Sequence, residues 1–181
     1  IAMGFIFGPF IGYLGVAQKI FHDTYATGAL FVLYFAVAAV AIGIASLINS
    51  QLVERFGMIY LSKRALLSFT SLSLIGLSAT LLYGGAPPFW MFMIWLNFTF
   101  FSIGILFGNI NALAMEPLGH IAGLGAAMVG SISTIMSLPV AWFIGDRFDG
   151  SLNTLMVGFL FAGCAALCAF LWATAARTEA D

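Results

Sequence analysis

An all-α, polytopic membrane bundle of six spans is the fold this sequence predicts, and three observations predict it. Hydrophobic residues make up 62% of the chain and charged residues only 7%, whereas a soluble domain carries roughly a quarter charged residues. The apolar stretches are long, and none alternates as barrel strands do. The few charges and prolines fall between those stretches, where a chain that crosses a bilayer must turn. Mean hydropathy is +1.10. Most of this chain is built for lipid as its solvent.

A span needs about 20 apolar residues. The first covers residues 1–17 and ends at Gln18, Lys19, His22 and Asp23. The second runs over 27–53 and ends at Glu54 and Arg55. A loop to Arg64 follows, and the third span covers 64–84. Pro87 and Pro88 then force a turn, because proline cannot continue a helix and restricts the residue before it. The fourth span is 89–115, the fifth 122–144 and the sixth 152–176. The segment from Glu116 to Gly130, EPLGHIAGLGAAMVG, supplies the turn between the fourth and fifth. The chain opens on apolar residues with no basic region and no small-residue cleavage site before them, unlike a signal peptide. It is expected to begin inside a helix, as a piece of a longer protein.

Six spans place both ends of the chain on one side. Basic residues favour the cytoplasm. With the N-terminus inside, Arg55, Lys63, Arg64 and Arg177 are cytoplasmic and Lys19 and Arg147 are not. The expected topology has both termini cytoplasmic, with Glu54 to Arg64 as a cytoplasmic loop. A net charge of -1 argues against nucleic acid, which calls for a basic face. Cys164 and Cys168 share a helix face with no His or carboxylate to complete a metal site, and read as small packing residues. No metal or other cofactor is expected.

Small residues four apart let helices approach closely in lipid. Gly4, Gly8 and Gly12 form such a strip in the first span, and Gly104 and Gly108 in the fourth. Ser133, Ser137, Ala141 and Gly145 form another in the fifth. Spans one and four then hold matching places in two groups of three, the pattern of a 3+3 inverted repeat.

Polar residues inside spans are the default functional candidates. On the fourth span Asn97, Phe101 and Gly104 share a face that Gly108 and Asn111 extend. On the first, Phe7, Phe10 and Tyr13 precede Gln18, and Tyr34 lies on the second. Tyr13, Gln18, Asn97, Phe101 and Asn111 are the candidates for solute contact; interhelical hydrogen bonding is the other reading of the amides. Glu116 ends the fourth span just before Pro117. It reads as a proton or gate residue, or as a solvated cap. His120 reads as a loop group, and Asp146, Arg147 and Asp149 as an ion-paired turn. Intramembrane proteolysis needs a nucleophilic serine with a histidine base in the membrane. Here the candidate surround reads GSIS and both histidines fall in loops. HExxH, paired membrane aspartates and selectivity-filter sequences are absent too. An enzyme or a channel is therefore not expected.

The stretch FGNINALAMEPLGHIAGLGAAMVGSIST, Phe107 to Thr134, resembles the tenth-to-eleventh helix region of the major facilitator superfamily. It is most similar to the Bcr/CflA-type drug–proton antiporters, whose pattern there runs Asn…Ala-Leu-Ala…Pro…Ala-Gly. Asn111, Ala112, Leu113, Ala114, Pro117, Ala122 and Gly123 hold those positions. SQLVERFG, Ser50 to Gly57, resembles the family's loop motif G-x-L-A-D-R-x-G-R-K. Leu52, Arg55 and Gly57 agree and Glu54 replaces the acid, but Ser50 stands at the leading glycine and Met58 and Ile59 at the two bases. The resemblance implies that residues 1–181 are the C-terminal half, helices seven to twelve, of a twelve-helix transporter. Its partner is the missing N-terminal half. It implies gating roles for Glu54, Arg55, Gly57, Glu116 and Pro117. It also implies alternating access of a small-molecule substrate, with drugs or amphipathic compounds exported from a bacterial inner membrane in exchange for protons. The family's coupling carboxylates belong largely to the other half, so no proton site is carried over. Import of a small metabolite, or a six-span protein without transport, are the alternatives.

Overall fold

The computed structural model describes residues 1–178, apart from the side chains at 117, 120, 177 and 178. Six helices carry the chain: α1 (Ala2–Lys19), α2 (Phe31–Phe56), α3 (Met58–Leu82), α4 (Phe89–Met115), α5 (Ala122–Asp146) and α6 (Asn153–Thr178). There is no strand among the described residues. Each helix includes a stretch long and apolar enough to cross a bilayer. The burial pattern agrees with that solvent. Val32, Val40, Leu47, Ile75, Ile135 and Trp142 all point outward, each more than half exposed or nearly so. Water would penalise such a surface, and lipid does not.

Four helices stand in a row, α5–α1–α4–α2, and α6 and α3 pack behind its centre. Exchanging α1 with α4, α2 with α5 and α3 with α6 leaves the main pairings unchanged. The pair α1/α5 becomes α4/α2, α1/α6 becomes α4/α3, and α3/α6 and α1/α4 become themselves. Three helices per repeat is an odd number, so the second set runs opposite to the first. The bundle is a 3+3 inverted repeat.

Glycines set the first of these pairings. A Cβ on Gly4 would lie 2.6 Å from Met136 Cβ, one on Gly8 2.7 Å from Val140 Cβ, and one on Gly12 2.8 Å from Ile144 Cδ1. Three successive turns of α1 thus rest on three turns of α5 with no room for a methyl. Ser133 and Ser137 are buried under this contact. Gly145 has open space around it and takes no part. The symmetry-related pair α4/α2 repeats the device at Gly104, where a Cβ would meet Ile42 O at 2.7 Å and Ala45 Cβ at 2.8 Å.

Two boundaries depart from the sequence reading. The first helix does not stop at residue 17. It widens into a π-turn over Ile20–Thr24, because Ile20 and Phe21 are fully buried and pull the next turn into the bundle. The expected loop from Glu54 to Arg64 is a single residue. Gly57, at φ +78° and ψ +155°, joins α2 to α3 in a conformation essentially reserved for glycine. Lys63 and Arg64 therefore sit on the first turns of α3 rather than in a loop.

The two ends of the bundle are finished differently. At the end holding the α1/α2, α3/α4 and α5/α6 connections, the loops are tied to one another. Tyr25 Oη donates to Pro87 O at 2.8 Å, Thr24 Oγ1 to Gly150 O at 2.9 Å, and Leu152 N to Gly85 O at 2.8 Å. Burial pushes the Tyr25 phenol well above its usual range, so it stays a donor. Gly85, at φ +101°, could not carry a Cβ without striking Ser151 Oγ. At the opposite end an apolar cavity of about 350 Å³ opens between Met3, Ile110, Leu113, Ile132 and Phe170.

Candidate functional site

The seam between α1 and α4 is closed by aromatic rings. Phe7 stacks on Phe107 with centroids 4.6 Å apart, and Phe10 meets both Phe100 and Phe107 edge-on at 5.5 Å. Such pairs add about 0.5–1.5 kcal/mol each beyond the area they bury. This seam is the centre of the four-helix row, and it separates the side facing α3 and α6 from the open side.

Helical geometry assigns the polar residues to these sides. Ser102 Oγ lies 3.2 Å from Ser68 Oγ, and Trp95 Nε1 donates to Leu72 O at 2.9 Å, so that face of α4 looks at α3. At about 100° per residue, Asn111 stands on the opposite face from Ser102, and it is exposed. Asn97 lies about 140° around α4 from Ser102. On α1, the glycine strip faces α5 and Tyr13 faces the interior. Gln18 and Leu14 remain on the open side, both exposed.

The five candidates for solute contact do not form one site. Asn97 and Phe101 come together. Both are half-buried and line a groove of about 500 Å³ with Val37 and Ile44 of α2 and Ser68 of α3. Asn97 Nδ2 donates to Met93 O at 2.8 Å, which leaves its carbonyl oxygen and one N–H for another partner. Tyr13 is elsewhere: fully buried, stacked on Phe35 at 6.4 Å and edge-on to Phe100 at 5.1 Å. Its hydroxyl has no hydrogen-bond partner among the described residues. Gln18 and Asn111 share the open side but occupy opposite ends. Phe7 and Phe107 are level, Gln18 lies eleven residues beyond the one and Asn111 four beyond the other in the opposite direction. At 1.5 Å per residue the separation is roughly 22 Å, more than a small solute spans. Spacing along one helix places residues on a face, but it does not say at what depth two antiparallel helices meet.

The gating candidates gather near the α2/α3 joint. Glu54 and Arg55 are exposed on the last turn of α2, and Gly57 is the joint itself. Glu116 begins a 3₁₀ segment, Glu116–Ile121, and lines a groove with Phe56, Tyr60 and Lys63. The Pro117 side chain, like that of His120, lies outside the described residues. In the α5/α6 connection the pairing is partial. Arg147 Nε is 3.8 Å from Asp146, whereas Asp149 accepts from Ser151 N at 2.9 Å. Cys164 and Cys168 are free and exposed. No group of three metal-ligating side chains occurs among the described residues.

Sequence reasoning missed the strongest polar contact in the spans. Asn49 of α2 and Asn109 of α4 exchange two hydrogen bonds, Nδ2 to Oδ1, at 2.9 and 2.8 Å. Both are buried. The available signal was Asn49 in one apolar run and Asn97, Asn109 and Asn111 in another, and which of the three amides pairs with Asn49 was hidden. No family model, curated protein or solved structure matches this chain.

Proposed function

We propose that this chain is one six-helix half of a major-facilitator-type secondary transporter, most similar to the Bcr/CflA-type drug–proton antiporters. In this reading it exports drugs or other amphipathic small molecules across a bacterial inner membrane in exchange for protons, with both termini cytoplasmic. One observation carries it: two triplets of helices trade places and keep their partners. Inverted triplets of this kind build solute sites near the bilayer midplane. The open side of the α5–α1–α4–α2 row then faces a second six-helix half. It presents Gln18 and Asn111, with Phe7 and Phe107 between them, while Asn97 lines the groove between α4 and α2. An amide beside rings suits a solute that is only partly apolar.

The test is transport by the chain together with its second half, in cells stripped of their own efflux pumps. Tolerance to several unrelated amphipathic compounds, abolished by a protonophore, is the expected outcome. Asn97→Ala and Asn111→Ala, at unchanged protein level, should alter the ranking of compounds. An unaltered ranking in both removes these residues from the solute path. Uptake of a single solute, without multidrug tolerance, would replace export by import.

A further inference from the structure

The α2/α3 joint, where the gating candidates gather, also carries a stack of rings and cations. The Arg55 guanidinium lies over the Phe56 ring, 5.2 Å from its centroid. Phe56 stacks on Tyr60 across the Gly57 break, at 5.8 Å and 25°. The Arg64 guanidinium covers Tyr60 in turn, at 5.3 Å. The result is a four-layer column, cation–ring–ring–cation. Its rings are almost half exposed, Phe56 at 44% and Tyr60 at 47%. Lys63 stands beside it, also exposed. None of the three cations makes an ion pair with a described carboxylate.

The acids near it are Glu54, on the same helix turn as Arg55, and Glu116 across the groove. Three described bases thus face two acids at this end. At the other end the balance is reversed, with Lys19 and Arg147 against Asp23, Asp146 and Asp149. Two properties of the column matter. A ring holds each guanidinium on one face and leaves its N–H edge open, the arrangement suited to bidentate phosphate. Rings with apolar bodies beside cations settle at the headgroup level of a bilayer. Ile59 beside the rings and Leu67 about two turns further along α3 are exposed at 42% and 40% and offer apolar surface to an acyl chain.

We propose that Arg55, Lys63 and Arg64, ordered by the Phe56–Tyr60 stack, hold the phosphates of anionic phospholipids at the α2/α3 joint, with the two arginines at opposite ends of the column each taking its own headgroup. The ligands belong to the leaflet. The site is independent of any transported solute.

The experiment uses the chain reconstituted in phosphatidylcholine bilayers with a trace of spin-labelled phosphatidylglycerol or spin-labelled phosphatidylcholine. The motionally restricted fraction reports lipid held at the protein. The glycerol lipid should be enriched over the choline lipid, and each charge removed should cut that preference about five-fold. R55Q/K63Q/R64Q should abolish it, while K19Q/R147Q should leave it intact. Equal restriction of both lipids by the unaltered chain overturns the proposal. So does a preference that survives the triple substitution or falls equally in K19Q/R147Q. If the triple variant does not reconstitute, the unaltered chain decides by salt: a preference unchanged at 1 M NaCl, where the screening length is about 3 Å, also overturns it.

Discussion

The pairs α1/α5 and α4/α2 occupy equivalent places in the inverted repeat, yet they are held by different means. The first pair depends on close approach. Gly4, Gly8 and Gly12 each leave less than 3 Å for a Cβ, and no side-chain hydrogen bond crosses between the two helices among the described residues. Each helix also carries a proline, Pro9 buried and Pro139 exposed, and so lacks one internal hydrogen bond. The second pair has a single tight glycine, Gly104, and adds the Asn49–Asn109 exchange. Its helices contain no proline. One architecture therefore tolerates two solutions to the same problem. Dispersion over a long, flat contact replaces a short contact with a directional lock. In lipid both are available, because burial of apolar surface no longer favours one helix partner over the surrounding chains.

Substitutions that overfill a contact should separate the two pairs most strongly. Gly8→Leu drives a side chain into Val140 and Ser137 O, and should cost about 3 kcal/mol or more. Unfolding of the purified chain in mixed micelles would register it as loss of a cooperative transition. Gly104→Ala comes next, at about 2 kcal/mol, because its new methyl meets the backbone oxygen of Ile42, which cannot rotate away. Asn109→Leu strands the Asn49 amide in a buried site, at about 1–2 kcal/mol. Adding Asn49→Leu should recover most of that loss, since no polar group is then left unpaired. A double substitution that simply adds the two single losses would sink the clamp. The smallest effect is Gly108→Ala. Its Cβ would find only Asn49 Nδ2, at an ordinary 3.7 Å, so the helix gains up to about 1 kcal/mol. An alanine scan should therefore score every glycine of the α1 strip as essential and only one of the two on α4.

This contrast also marks what the sequence can reveal. The glycine strips were visible because a period of four is a property of one helix, and the spans were visible because hydropathy is a local sum. Gly108 belongs to the same period as Gly104 yet packs loosely, since period does not report the angle at which a neighbour crosses. The Asn49–Asn109 pair spans sixty residues of chain, and neither amide differs from Asn97 or Asn111 until the neighbouring helix is in place. The same reason scatters the candidate contact residues. Asn97 and Phe101 meet at a groove because α2 is there to form its other wall, whereas Tyr13 is taken by Phe35 and Phe100. The missing loop between α2 and α3 is a lesson in charge. Glu54, Arg55, Lys63 and Arg64 read as a solvated connection, but charged side chains on helix ends reach the interface without leaving the helix.

Gly57 has one further consequence. A single residue extends the chain by no more than about 3.6 Å, far less than the thickness of a headgroup layer. The last turn of α2 and the first of α3 are consequently pinned to the same depth. Neither helix can slide along the bilayer normal without carrying the other, so this corner works as a fixed pulley over which the chain is drawn, and every other connection in the bundle has more slack than it does.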